Sequence, residues 1–96
     1  MPEIDRIIHV PARLRIMAAL AALAPSAQLD FRTLGTSLGL TDGNLGAHLQ
    51  TLDDAGYIKV AKSFVDRKPR THVSITGKGR LRFDQHVAAL REICRV

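Results

Sequence analysis

Basic side chains gather in one segment of the chain, and they are the residues best suited to bind an anion. Between positions 59 and 82 there are eight lysines and arginines and one acid, Asp66, whereas residues 1–58 hold four arginines and six acids. Ammonium and guanidinium groups attract and bind phosphate oxygens. Such clustering favours a polyanionic partner over a surface that is merely solvated. The candidate phosphate-binding residues are Lys59, Lys62, Arg67, Lys68 and Arg70.

A second group of candidate residues lies where a helix is expected to begin. Thr41 can cap that helix with its hydroxyl, and the free N–H groups of the first turn form a natural site for a phosphate. Leu45, Leu49 and Leu52 recur at helical spacing and should face the core. The first turn and the side away from these leucines supply further candidate contacts to a nucleic acid: Thr41, Asp42, Gly43, Asn44, Ala47, His48, Gln50 and Thr51.

The expected roles within this second group differ. Asn44 points away from the leucine stripe and is expected to bond a phosphate or a base edge. Asp42 complements the positive end of the helix dipole. Gly43 is small enough for the backbone to approach a sugar-phosphate chain. For His48, phosphate contact and packing in the core stay equally open.

Other kinds of chemistry find little support in the sequence. There is no C-x-C, no C-x-x-C and no pair of histidines at i and i+4, so no metal site and no cofactor are predicted. There is no nucleophile elbow, phosphate loop or H-E-x-x-H, so no enzymatic activity is predicted. Cys94 falls on the apolar stripe of the last helix and is expected to pack there. A metal- or redox-responsive role stays open as an alternative.

Turn and cap signals divide the chain into four helices and a hairpin. A first helix should start at Pro11 and run to about Ala24. Asp30 is placed to cap a second helix, over 31–38, that Gly39 ends. The remaining predicted elements are a third helix over 42–55, strands over 57–65 and 70–76 joined through residues 65–70, and a last helix over 77–94. The expected fold is mainly α with a small β-hairpin (α+β), in the order α-α-(short β)-α-β-β-α.

Length and composition bound the remaining possibilities. The 96 residues suffice for one small domain over 1–96, and 46% hydrophobic with 24% charged residues is ordinary for a globular chain. No apolar run approaches the roughly 20 residues that a membrane span needs. The sequence has no recognisable signal peptide, and its single cysteine suits a reducing compartment. A cytoplasmic location is therefore expected.

Three segments, 9–20, 29–58 and 62–83, resemble a known family. They contain T-D-G-N-L-x-x-H-L, then L-x-x-A-G-Y-I, then a basic loop closed by R-x-x-x-S-x-T-x-x-G. With these motifs the chain resembles the winged helix-turn-helix transcriptional regulators of the MarR/ArsR type. The likeness is strongest to the small stand-alone winged helix DNA-binding domain proteins of bacteria and archaea.

The resemblance implies a homodimeric regulator that binds double-stranded DNA. The third helix would lie in the major groove, and the hairpin at 57–76, called the wing, would lie on the backbone or in the minor groove. Two residues depart from the family pattern. Ala47 replaces a long polar residue and can touch a thymine methyl but cannot form a bidentate bond to guanine. Asp66 replaces a glycine of the wing, and its charge repels phosphate.

A two-fold interface is expected on the first and last helices, which carry more apolar residues than a core of this size needs. Steric repression at a promoter is the simplest mechanism, and a small-molecule effector is not indicated because there is no separate sensor region. The main rival is a winged helix module that binds protein or RNA. The candidate interface residues are Ile4, Ile7, Ile8, Leu81, Val87, Leu90 and Ile93.

Overall fold

The computed structural model describes residues 3–95, which form four helices and a three-stranded antiparallel sheet. The predicted α+β fold class is confirmed. The short strand follows the first helix and not the second, so the order is α-β-α-α-β-β-α. The elements are α1 (Pro11–Ala21), β1 (Leu29–Asp30), α2 (Phe31–Leu38), α3 (Asp42–Asp54), β2 (Ile58–Val65), β3 (Lys68–Ile75) and α4 (Gly77–Ile93).

Helix α1 supplies the middle of the core. It ends at Ala21, one turn before the predicted Ala24. Helical spacing predicts that Leu14, Met17, Leu20 or Ala21, and Leu23 face inward. The buried side chains are instead Ile16, Met17 and Leu20. These side chains meet residues from the other helices and the sheet in one cluster. That cluster consists of Ile8, Ile16, Met17, Leu20, Leu34, Leu45, Leu49, Leu52, Tyr57, Ile58 and Val73.

Side-chain caps set the turn between α2 and α3. The Asp30 carboxylate accepts hydrogen bonds from two backbone N–H groups of the first turn of α2, at 3.0 and 3.2 Å. Gly39 ends α2 with a left-handed φ of 67°. The Thr41 hydroxyl then accepts the N–H of Asn44 at 3.2 Å and starts α3. Only Gly39 and Leu40 separate the end of α2 from Thr41, the residue that caps α3, as the sequence predicts.

The end of α3 leads directly into the hairpin. Gly56 has a φ of 79°, and its N–H donates to the Asp53 carbonyl at 2.9 Å. The Tyr57 N–H donates to the Leu52 carbonyl at 3.0 Å. These two bonds form a Schellman stop, which satisfies carbonyls that the helix end would otherwise leave open. The stop fixes the direction in which β2 leaves α3.

The sheet is held to the helices by one face of β2 and β3. β3 lies between β1 and β2, and β1 contributes only the pairs of Leu29 with Val73 and of Asp30 with His72. On β2, Val60 is paired with Val73, and both belong to the core or to its margin. From residue 61 to residue 72 the hairpin extends beyond the core.

The wing closes with a tight turn, which corrects the predicted six-residue connection. Val65 pairs with Lys68, so only Asp66 and Arg67 form the turn, with φ of 51° and 65°. Positive φ at both positions defines a type I′ turn, which usually contains Asn-Gly. The sequence lacks that signal, so a tight turn was not predicted here. Pro69 is tolerated because its pair does not exchange hydrogen bonds, so its missing N–H faces away from β2.

Helix α4 is rotated relative to its predicted packing. Helical spacing in the sequence predicts an inward stripe of Phe83, Val87, Leu90 and Cys94. The buried residues are instead Gly79, His86 and Ala89. The N-terminal segment covers His86, which turns that side of the helix inward. Residues 91–95 are all exposed, so Cys94 does not pack as expected. Even α4, with 17 residues, is not long and apolar enough to cross a membrane, nor is any other helix of residues 3–95.

Candidate nucleic-acid interface

One side of α3 is open to solvent and carries predicted contact residues. Thr41, Asp42, Gly43 and Asn44 are exposed, and Ala47 is exposed one turn further along. The first N–H groups of any helix lack a partner within the helix, and here the Thr41 hydroxyl satisfies only that of Asn44. The first turn therefore offers backbone donors and the positive end of the helix dipole to an anion.

Polar side chains in the second half of α3 already have partners. The Gln50 amide donates to Oδ1 of Asp54 at 2.8 Å, and the Thr51 hydroxyl donates to the Ala47 carbonyl at 3.3 Å. A contact from either side chain to a nucleic acid would have to replace these bonds. Asn44 and Ala47 are therefore better placed than Gln50 and Thr51 to reach base edges.

Acidic residues limit this surface at the C-terminal end of α3. Asp53 and Asp54 are both exposed there, and their charges repel phosphate. His48 is half-buried at the border of the core. The N-terminal half of α3 is thus the part that suits a polyanion.

The wing carries four exposed cations around its end. Successive strand residues point to opposite faces, so Lys62 shares a face with Val60, whereas Lys68 and Arg70 lie on the other face. Arg67 lies at the turn itself. Because this part of the hairpin extends beyond the core, both of its faces are open to solvent. All four cations can therefore meet a partner that surrounds the end of the wing.

Lys59 is separated from these four cations. It pairs with Ser74 on the sheet face opposite the core, and it lines a depression with Arg80 and the turn that follows α1. The guanidinium of Arg80 donates to the carbonyls of Ala21 and Leu23, at 3.0 and 3.4 Å. Lys59 shares its sheet face with Lys68 and Arg70 but lies at the base of the hairpin, and its predicted contact to a nucleic acid stays a prediction.

A groove of about 630 Å³ runs between α3 and the base of the wing. Gly46, Leu49, Gln50 and the acid Asp53 line it from α3, and Val60 and Lys62 line it from β2. The groove therefore lies between the middle of α3 and the Lys62 face of the wing, and the exposed first turn of α3 and the end of the wing lie beyond it. We call the combined area the α3–wing surface, formed by Thr41, Asp42, Gly43, Asn44, Ala47, Lys62, Arg67, Lys68 and Arg70.

Phe64 belongs to the end of the wing and was not predicted to have any role. It is 77% exposed, and it faces Pro69 across the hairpin. The alternation of strand faces could have identified it, because Phe64 lies on the same face of β2 as Val60 and Lys62. It lies four residues beyond Val60, which is at the margin of the core. Its exposure depends on how far the hairpin extends past the helices, which the sequence did not indicate.

The candidate residues for a two-fold interface divide into three groups. Leu81 is 57% exposed, and Ile93 and Ile4 are also exposed. Val87, Leu90 and Ile7 are half-buried. Ile8 is 0% exposed and belongs to the core of a single protomer, so it has no surface to offer a second copy. The N-terminal turn explains this correction, since it folds back and inserts Ile8 among the helices.

A buried polar network joins the N-terminal segment to the rest of the molecule. Asp5 Oδ1 accepts the N–H groups of Ile7 and Ile8 at 2.9 and 3.1 Å, and its Oδ2 accepts the Tyr57 hydroxyl at 2.6 Å. The Asp5 N–H donates to Nδ1 of His86 at 3.0 Å. The proton of a neutral His86 ring must then lie on Nε2, which is buried without a partner among the described residues.

Burial and charge shift the pKa values of this network. Burial, and then the hydrogen bond to Asp5, raise the pKa of Tyr57 to about 12. Burial would raise the pKa of Asp5 as well, but the hydrogen bonds from Tyr57, Ile8 and Ile7 hold it below its usual value. Burial, reinforced by the charge of His9, lowers the pKa of His86 despite the nearby Asp5. The network is thus most stable with Asp5 ionised and His86 neutral.

Possible metal ligands do not come together within one protomer. Among residues 3–95, no three His, Cys, Asp or Glu side chains are grouped so that they could hold a metal ion. His9 and His86 do meet, edge to face with ring centroids 5.3 Å apart. They pack as aromatic rings beside the Asp5 network.

Comparison with known proteins identifies the fold as a winged helix DNA-binding domain. The family model for the winged helix DNA-binding domain matches residues 12–94. An uncharacterised protein of Methanocaldococcus jannaschii is 31% identical over 90 residues, which cover 94% of this chain and 95% of that protein. A transcriptional regulator homologue from Pyrococcus horikoshii is 34% identical, with a TM-score of 0.83 over 93% of this chain and 85% of that chain.

Larger regulators share the fold at lower identity. A MarR family transcriptional regulator from Silicibacter pomeroyi has a TM-score of 0.69 and 23% identity. The match covers 90% of this chain but only 55% of that regulator. At such identity the likeness concerns the fold alone, and the present chain spans about half the length of the larger protein.

Proposed function

Because this chain belongs to the family of winged helix DNA-binding domains, we propose that it is a homodimeric transcriptional regulator that binds double-stranded DNA through its α3–wing surface. The observation that carries this proposal is the continuity of that surface. The middle of α3 and the Lys62 face of the wing line one groove, in which Asp53 is the only acid. The first turn of α3 and the other three wing cations are exposed beyond this groove.

In the proposed complex, α3 enters the major groove with its N-terminal turn foremost. Free backbone N–H groups there bind a phosphate, which sets the register of the protein on the duplex. Asn44 can bond an adenine edge, and Ala47 can contact a thymine methyl. Few other α3 side chains are free to read bases, so direct sequence recognition is modest.

The wing contributes attraction that does not depend on sequence. Lys62, Lys68 and Arg70 bind backbone phosphates, and each phosphate neutralised releases counterions. Arg67 at the turn is placed to enter the negative minor groove. The wing therefore accounts for most of the affinity and for most of its dependence on salt.

We also propose that two copies associate through α4 and the N-terminal segment. Leu81, Ile93 and Ile4 are large apolar side chains exposed in this part of the molecule. A two-fold dimer would place two α3 helices about 34 Å apart, matching half-sites one helical turn apart on the duplex. Bound at a promoter in the cytoplasm, such a dimer would repress transcription by occupying the site.

A salt titration with duplex DNA tests the proposed function. Binding of the unmodified protein should weaken with salt, at a slope of about −0.9 in log K for each phosphate neutralised. Arg67→Ala combined with Arg70→Ala should reduce the magnitude of that slope by about 1.8, on all sequences alike. Lys59→Ala is the matched control, because this lysine lies at the base of the hairpin, four residue pairs from the Ser63–Arg70 pair, and it should leave the slope unchanged.

A second variant separates sequence recognition from general attraction. Asn44→Ala should reduce discrimination between a selected site and random duplex by about 1–3 kcal/mol while leaving the salt slope unchanged. If the unmodified protein does not bind duplex, or if its affinity does not depend on salt, the DNA proposal is wrong. A winged helix module that binds protein or RNA would then be the better account.

A further inference from the structure

Phe64 is the most exposed of the large apolar side chains among residues 3–95. It is 77% exposed, compared with 48% for its neighbour Val65. A single exposed apolar residue is common on protein surfaces. This one, however, lies near the end of a hairpin where half of the other exposed side chains, over residues 62–70, are cations. Phe64 is not part of the core, because residues 62–70 of the hairpin are all exposed.

The alternation of the strands directs Phe64 toward the side of α3. Val60, Lys62 and Phe64 share one face of β2. At the base of the wing, this face lines the groove beside α3. Pro69 lies opposite Phe64 in a pair that does not exchange hydrogen bonds, where side chains approach most closely. The rigid Pro69 ring therefore supports the phenyl ring from the neighbouring strand.

The length of the wing matches the geometry of a duplex. Five residues, 61–65, follow Val60 on β2, and at about 3.4 Å each they reach roughly 17 Å beyond the core. One turn of B-DNA spans about 34 Å, so the nearest minor groove lies about 17 Å from a helix placed in the major groove. If α3 occupies the major groove, the end of the wing arrives at the minor groove.

We propose that Phe64 enters the minor groove beside the α3 contact and packs against a base step, which it partly unstacks. This inference rests on the proposed DNA-binding function and extends it to a specific contact. Arg67 and Lys62 hold the wing against the negative groove, and the apolar ring then displaces water and one stacking contact. Apolar wedges of this kind bend the duplex toward the major groove.

The proposed wedge also gives the protein a source of sequence preference. Pyrimidine–purine steps such as TA and CA unstack easily, whereas other steps resist. A wedge at a fixed distance from α3 would select sites with a flexible step at that distance. Such recognition would supplement the limited base contacts that Asn44 and Ala47 can make.

The test measures DNA bending together with affinity. A duplex that carries a site selected by the unmodified protein is labelled with a donor and an acceptor dye at its two ends. The unmodified protein should raise energy transfer on binding, and Phe64→Ala should abolish most of that rise. Phe64→Leu keeps an apolar wedge and should retain part of it. Val65→Ala is the matched control, because Val65 is an exposed apolar neighbour on the opposite face.

Affinity and salt dependence complete the test. Phe64→Ala should bind the flexible-step site roughly tenfold more weakly, a loss comparable to that from one mismatched base pair. Its salt slope should equal that of the unmodified protein, since no charge is removed. Replacing the TA or CA step by a stiff step should weaken the unmodified protein by a similar factor and Phe64→Ala hardly at all.

Several results would overturn the wedge. If the unmodified protein binds duplex with the expected salt slope but Phe64→Ala bends DNA as well as it does, the wedge is wrong and the DNA-binding function stands. If the unmodified protein does not bind duplex, both proposals fall. If Phe64→Ala instead changes the oligomeric state in sedimentation, Phe64 contacts a second copy of the chain.

Discussion

Gly79 illustrates how a single residue positions a whole helix. A Cβ atom built at this position would overlap the carbonyl group of Tyr57. The first turn of α4 therefore packs directly on the backbone that leaves α3. The Thr76 hydroxyl strengthens this contact, because it accepts the Gly79 N–H at 2.9 Å and donates to the Gly56 carbonyl at 2.7 Å.

Gly79→Ala should therefore lower the free energy of unfolding by about 3 kcal/mol or more, since backbone atoms cannot yield as a flexible side chain would. Gly77→Ala is the matched control, because a Cβ there meets no atom within 4 Å. It should be neutral or stabilising by up to about 1 kcal/mol. Denaturant unfolding of the two variants measures the difference, and equal stabilities would contradict the close approach of α4 to Tyr57.

At the scale of the element, the turn of the wing combines strain with function. Asp66 and Arg67 both have positive φ, although neither is glycine. Side chains in this conformation cost about 1–2 kcal/mol each, less for aspartate. A strained turn presents Arg67 at the very end of the wing, where the proposed DNA contact needs a cation. Strain held at a binding residue is common in functional loops.

Replacing this turn with Asn-Gly should separate stability from binding. Asp66→Asn with Arg67→Gly introduces the Asn-Gly sequence that type I′ turns prefer and should stabilise the protein by about 1 kcal/mol. The same variant should bind duplex DNA more weakly than Asp66→Asn alone, because it lacks the Arg67 charge. Arg67→Ala removes the charge but keeps the left-handed backbone, so it should not gain stability. If thermal unfolding shows the two variants equally stable, the turn is not strained.

At the scale of the whole molecule, the Asp5 network joins parts of the chain that are far apart in sequence. Asp5 contacts Tyr57, 52 residues away, and His86, 81 residues away. These bonds hold the N-terminal segment against α4 and against the start of β2. A proton added to Nδ1 of His86 would face the N–H of Asp5. Protonation would therefore break the hydrogen bond between the Asp5 N–H and His86.

Stability should therefore fall as the pH is lowered. The pKa of His86 in the folded protein lies below its ordinary value of 6.5. As the pH falls, the unfolded chain therefore binds this proton before the folded protein does, which stabilises the unfolded state relative to the folded one. The loss begins as the pH falls through about 6.5. Asp5 adds a further loss below 3.8, its ordinary value, because its folded pKa is also lowered.

Denaturant unfolding between about pH 7.5 and 5.5 measures the share of His86. His86→Asn keeps an acceptor for the Asp5 N–H but cannot be protonated. It should be less stable than the unmodified protein at pH 7.5, because it leaves a cavity, yet it should lose less stability on acidification. His48→Asn, on half-buried α3 surface, controls for the removal of one histidine. If His86→Asn has the same pH dependence as the unmodified protein, another group is responsible.

Local signals in the sequence determined where most elements begin and end. Asp30, Thr41 and Thr76 cap their helices, and Gly39 and Gly56 end two of them with left-handed φ. Each of these features depends on hydrogen bonds between residues two to five positions apart, so the residue types alone predict them. The α3 leucine stripe could be predicted from helical spacing within one element. The winged helix fold could be predicted from the order of these elements and from the family motifs.

Only the tertiary structure decided which faces of these elements are covered. It buried Ile8, turned His86 inward, placed Lys59 on the face away from α3 and left Phe64 in solvent beyond the core. Each outcome depends on contacts between residues separated by tens of positions, or on how far a hairpin extends past its support. Periodicity within one element identifies its apolar side, but the position of its neighbours in space determines how much of that side is buried.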